Sequence, residues 1–221
     1  MRGLILKDLY ALRSFWKQFV FIYLFIACAF STSAMESGSV SFVLTSMMIY
    51  SVVFGSTVLL SSMSIDEAVS FNRYALTTPL GIKKIVKAKF VLLLLTIAVG
   101  VFVSLLICGA LSLLPAFKGE MIEWSAIIAA MALFLIGDSF MIAVMFKKGV
   151  EKARYIYIII MFALAVFVFG CAKICEMKGI SFRILEQLPD VFLSFFAAAV
   201  AALSMLMSYF VTLRIVRNKE W

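Results

Sequence analysis

The chain has 221 residues, 65% of them hydrophobic and 14% charged, with a formal net charge of +8 and no histidine. Soluble domains are roughly 45–50% apolar and about 25% charged, and a soluble chain of this size cannot hide the excess. That excludes a soluble enzyme, a disordered tail and a disulfide-stapled secreted domain, while the missing histidine removes His triads, His–metal sites and imidazole relays. Runs such as Val91–Leu95 and Ala197–Leu203 do not alternate, as lipid-facing β-strands must. The sequence predicts an all-α polytopic membrane protein.

The first element is a helix over residues 1–14. Ile5, Leu9, Leu12 and Trp16 follow a helical stripe, with Lys7, Ser14 and Gln18 on another face. Such a helix rests in the membrane interface with Trp16 at headgroup level, or it is a solvated extension of the span that follows. About 20 apolar residues cross a bilayer core. Six segments qualify: Phe15–Ser33, Val40–Met63, Ile85–Leu113, Ile122–Phe146, Arg154–Ile174 and Asp190–Ile215. The first, with its basic lead and the small residues Ser31–Ala34, loosely resembles a signal peptide. Its long basic region and long apolar run argue against cleavage.

Sixteen of the twenty Lys and Arg residues fall before span one, between spans two and three, between four and five, or after six. Only Lys118, Lys173, Lys178 and Arg183 fall on the other side. Strict alternation of this kind places both termini in the cytoplasm. It also ties the positive charge to the membrane rather than to nucleic acid. The expected location is the cell membrane, multi-pass.

The loop between spans two and three is the richest segment outside the bilayer. Ser64-Ile65-Asp66-Glu67 has the spacing of a capping box, which predicts a helix from Ser64 to about Thr77. Asp66, Ser70, Arg73 and Thr77 form its polar face. Thr78-Pro79-Leu80-Gly81 turns the chain. Lys83, Lys84, Lys87 and Lys89 follow at the mouth of span three. The segment serves equally well as an interfacial helix on anionic lipid or as a transverse helix that contacts a cytosolic partner.

Within span four, Asp138 sits between Gly137 and Ser139. An intramembrane carboxylate is costly and marks either a functional site or a bond to a neighbouring helix. Cys28, Cys108, Cys171 and Cys175 lack metal-site spacing and read as small buried hydrophobes. The methionines Met47, Met48, Met131, Met141, Met145, Met205 and Met207 read as helix packing and lipid contact. Ala197–Ala202 offers a small-residue packing surface in span six. There is no G-x-x-x-x-G-K-[ST] loop, so any ATP-driven work needs another chain. A lone Asp argues against an intramembrane enzyme. Span interiors without proline argue against an ion-coupled transporter.

Asp66-Glu67, Asn72-Arg73-Tyr74, Leu76-Thr77-Thr78-Pro79-Leu80 and the lysine run into Phe90 resemble the permease subunits of ABC-2 type exporters. The opening Leu4-Ile5-Leu6-Lys7-Asp8-Leu9 does so too, and the six-span layout extends the resemblance over the whole chain. It is most similar to the small Gram-positive branch, and within it to permeases of phenol-soluble modulin exporters. The resemblance implies one transmembrane permease domain over residues 1–221 and a dimer with a second permease, the same or different. It also implies cytosolic ABC ATPase subunits that carry ATP and magnesium, none being bound by this chain. The segment 64–78 would be the coupling helix, with Ser64, Asp66, Glu67, Ser70, Arg73, Tyr74 and Thr77 as its contact residues. The expected substrate is an amphipathic peptide leaving the cell. Peptide-antibiotic immunity, drug export and sodium export share the same architecture.

Overall fold

The computed structural model describes residues 2–37, 40–71, 82–112, 124–177 and 190–218. These form seven helices: α1 (Arg2–Ala11), α2 (Arg13–Ser37), α3 (Val40–Ala68), α4 (Ile82–Leu111), α5 (Trp124–Lys148), α6 (Val150–Met177) and α7 (Asp190–Asn218). No strand occurs among the described residues. Helix is the backbone state that satisfies every N–H and C=O within its own segment, which lipid requires. Four helices are long and apolar enough to cross a bilayer, over Phe42–Ala68, Lys83–Leu111, Ile127–Lys148 and Asp190–Asn218. The other two expected spans fall within α2 and α6, helices of 25 and 28 residues that are not among those four.

The bundle is built from two tightly packed pairs, α3 with α4 and α5 with α7, joined where α3 meets α5. Helix α2 packs on α3, and α6 packs on α5 and α3. The α3–α4 contact is close because glycines sit at it. A Cβ on Gly55 would lie 2.6 Å from Ile97, and one on Gly100 would lie 2.7 Å from the Ser51 Cβ. Small residues at a helix contact let the backbones approach and gain dispersion energy where lipid supplies no hydrophobic drive. The main core gathers Val52, Leu59, Met63, Val86, Leu93, Met141, Ile142 and Met145. Of the methionines, Met47, Met48, Met141 and Met145 are buried, Met131 and Met205 pack against the core, and Met207 faces outward. On α7 only Ala201, Ser208, Thr212 and Val216 are buried, which is one face of the helix. Phe195, Phe196, Leu203 and Phe210 project outward from it. In the alanine stretch, Ala201 packs inside, Ala197 and Ala199 are half-buried, and Ala198 and Ala202 are exposed.

Helix α1 ends at Ala11, shorter than the expected 1–14. It docks through Leu4 and Asp8, and Leu12 just past its end continues the same spacing; all three are buried. Lys7, expected on the polar outer face, is turned toward the bundle instead.

The helix expected to begin at Ser64 does not begin there. α3 runs unbroken through Ser64–Ala68, so the capping-box pattern lies in the last turn of a longer helix, where no free N–H needs a cap. The chain then turns at Ser70, whose φ of 51° puts it in the left-handed region that commonly closes a helix C-terminus. A helical face running from Asp66 through Ser70 is thereby broken. Arg73, Tyr74, Thr77 and the turn at Pro79 lie outside the described residues.

Candidate functional site

The end of the bundle that carries most basic residues also holds a cluster of buried charges. Asp8 of α1, Asp66 of α3 and Lys89 of α4 are each 3% exposed or less. The Asp66 Oδ1 accepts from the Lys7 ammonium at 2.5 Å, and its Oδ2 lies 2.6 Å from the Lys89 Nζ. Lys89 donates to Asp8 Oδ2 at 2.9 Å and to the Ser62 hydroxyl at 2.6 Å. Lys7 closes the ring, 3.3 Å from the Asp8 Oδ1, and its ammonium stands 3.4 Å from the centre of the Phe71 ring. Two carboxylates thus alternate with two ammonium groups, and the ring is neutral. Asp66 sits in the last turn of α3, where the helix dipole disfavours an anion. The two lysines offset that. Lys83, Lys84 and Lys87 remain exposed as expected for a basic mouth, whereas Lys89 turns inward onto the Asp pair.

Glu67, one residue on, points the other way. Its Oε2 accepts the Val150 N–H at 2.9 Å, so it caps the start of α6 from a helix 83 residues earlier. Helices α5 and α6 are separated by Gly149 alone, whose φ is +88°. The dihedral favours glycine there, and a Cβ at Gly149 would meet the Glu67 Oε1 at 2.8 Å and push that carboxylate aside. Ser64, on the same turn of α3, is exposed and joins neither arrangement. At the same end, an open groove between α5 and α7 of about 520 Å³ is lined by Lys147, Val211, Arg214, Ile215 and Asn218.

The intramembrane carboxylate lies at a helix junction. Asp138 is fully buried, and its Oδ1 accepts from the Ser56 hydroxyl of α3 at 2.5 Å and from the Tyr157 hydroxyl of α6 at 2.9 Å. Its Oδ2 has no hydrogen-bond partner among the described residues. The neighbouring Ser139 carbonyl accepts from Ser208 of α7. Asp138-Ser139 therefore ties α5 to three other helices.

A third polar cluster escapes a sequence reading made for charge. The Tyr23 hydroxyl of α2 meets Ser51 of α3 at 3.0 Å, the Gly100 carbonyl of α4 at 3.0 Å, and Ser104. Its signal is a pair of small-xxx-small patterns, Ser51–Gly55 and Gly100–Ser104, which mark the α3–α4 contact. Cys28 and Cys108 are free thiols, and no group of residues able to hold a metal ion occurs among the described residues.

A family model described as ABC-2 family transporter protein matches residues 3–217. No match is found among curated proteins or among solved structures.

Proposed function

The chain belongs to the ABC-2 transporter family, and on that premise we propose that it is the permease of an ATP-driven exporter. The family's members are membrane components of transporters that work with an ABC ATPase. The proposal adds direction, substrate and contact. The substrate is an amphipathic or hydrophobic molecule, a peptide of the phenol-soluble modulin kind, moved out across the cytoplasmic membrane. Six spans carry it, both termini lie inside, and a second permease completes the path. The ATPase seats on the segment 64–78, with Ser64, Ser70, Arg73, Tyr74 and Thr77 as contact residues, since the bundle itself uses Asp66 and Glu67.

The observation that carries this reading is the coincidence of two features at one end of the bundle. That end receives sixteen of twenty Lys and Arg residues, which supports a cytoplasmic face there, and it also holds the ring of Lys7, Asp8, Asp66 and Lys89. A transporter driven from the cytosol needs a rigid element there to receive force, and a closed ring binding three helices is rigid. The test is purification of the tagged chain from its native membrane. An ABC ATPase should co-purify, and inverted vesicles should take up an amphipathic helical peptide only with ATP. Absence of any ATPase, together with uptake that ignores ATP, refutes the proposal.

A further inference from the structure

Asp66 and Glu67 are neighbours in the chain, yet their carboxylates serve opposite sides of α3. Asp66 is enclosed with α1 and α4, while Glu67 reaches α6. The bond from the Val150 N–H satisfies one of the four orphan donors at a helix start and sets a negative charge against the positive end of the α6 dipole. Local capping would have come from the residue just before the helix, but that residue is Gly149, which has no side chain to offer. The cap is therefore imported from α3. Among the described residues no ammonium pairs with Glu67, and the side chain is solvent-exposed, so the bond competes with water and is able to open.

The joint it grips is a single residue. With one glycine at φ +88° between α5 and α6, any swing of α6 is absorbed at Gly149. Two turns further along the same face of α6, Tyr157 donates to Asp138. A swing of the α6 start thus reaches the buried junction of α3, α5 and α6.

Resting on the coupling reading above, we propose that Glu67 is a positioning residue that locks the start of α6 to the end of α3, so that displacement of the end of α3 is passed to α6. The end of α3 and the joint at Gly149 then move as one body while the lock is closed.

Spin labels at Val69→Cys and Lys152→Cys, both exposed positions on either side of the lock, read the distance directly. They are placed in a variant lacking the four native cysteines and measured in the complex with its ATPase, without nucleotide and with ATP and vanadate. With Glu67 intact, one narrow distance is expected in both states. Glu67→Ala should add a second, longer distance at rest, with the detached fraction rising about fivefold or more, and should let the distance shift on adding ATP. Glu67→Gln keeps an acceptor oxygen and should restore the single distance. A Glu67→Ala protein with the same single distance as the parent, at rest and with ATP, overturns the proposal. If no ATPase co-purifies, the coupling reading fails, and the lock then stands or falls on the resting distance of the permease alone.

Discussion

Replacing Lys89 by methionine tests the charged ring at its most buried cation. Methionine fills a similar volume but removes the ammonium that serves Asp8, Asp66 and Ser62. Two carboxylates then face one cation, Lys7, whose side chain is 34% exposed. Removing one partner of a buried pair costs about 3–5 kcal/mol. Partial hydration at Lys7 screens the excess charge and puts the loss near the lower bound, about 3 kcal/mol. For a chain of this length each kcal/mol moves the midpoint by about 2–4 °C, so Lys89→Met should lower it by about 6–12 °C. Asp66→Asn should cost a similar amount by leaving two ammonium groups on Asp8. The double variant retains only Lys7 with Asp8, a neutral pair, and should recover about 1–3 kcal/mol relative to the sum of the single losses. The assay is thermal loss of the monodisperse peak in detergent. A Lys89→Met shift under about 2 °C, or a double variant whose loss equals the sum, would refute the ring as a coupled unit.

At the intramembrane junction, Asp138→Leu strands the Tyr157 hydroxyl, while Ser56 keeps the Val52 carbonyl as its acceptor, and should destabilise by about 1–3 kcal/mol; Asp138→Asn, which keeps an acceptor, should cost clearly less in the same thermal assay. Equal losses for the two variants would mean that the hydroxyl bonds are not what holds the junction. Gly100→Ala drives a methyl into the Ser51 Cβ and should cost about 1–3 kcal/mol, whereas Gly109→Ala, with open space around it, should be neutral or slightly stabilising. In a variant lacking the native cysteines, Lys148→Cys should stay unlabelled by an impermeant thiol reagent in intact cells, and Lys178→Cys should react. Labelling of Lys148→Cys from outside would invert the proposed orientation.

The four long apolar helices were legible because their cause is local. A run of about 20 apolar residues becomes a helix whatever its neighbours. Boundaries set by distant groups were not. Span five was expected from Arg154, and α6 extends it back to Val150, where Gly149 breaks the helix and Glu67 accepts the first N–H from 83 residues away. The Ser64–Glu67 pattern satisfied the spacing of a helix start, yet spacing does not say whether the chain before it is already helical. The inward turn of Lys89 did leave a trace. It falls three or four residues from Ile85, Val86, Leu92 and Leu93, all buried, so a cation stood on the apolar stripe of its own helix. Asp8, one turn from Leu4 and Leu12, has the same signature. Two opposite charges misplaced onto apolar faces are a sequence-level prediction of a buried pair. Grouping Lys89 with Lys83, Lys84 and Lys87 by sign alone hides it.

The separation of Asp66 from Glu67 decides how coupling to an ATPase can be tested. Charge reversal at both residues looks at first like a clean attack on a docking face. At Asp66 it is not, because Asp66→Lys would set three ammonium groups around the one carboxylate of Asp8 in a site nearly closed to water. At a spacing of about 3–4 Å such repulsion opens the ring, loosens α1 and α4, and abolishes ATPase binding whether or not Asp66 ever touched the partner. Glu67→Lys likewise sets a cation against the positive end of α6 and removes its cap. Lost binding in either variant therefore carries no information about the docking surface. A contact residue has to be one whose side chain the bundle does not use. Among the expected contact residues on α3, Ser64 alone meets that condition, being exposed and outside both the ring and the cap. Ser64→Arg should leave the thermal midpoint within about 1–2 °C of the parent, as surface changes do. If the end of α3 seats the ATPase, the same variant should weaken co-purification. A Ser64→Arg protein that is stable and binds its ATPase normally would move the docking surface off α3 and onto the loop beyond Phe71.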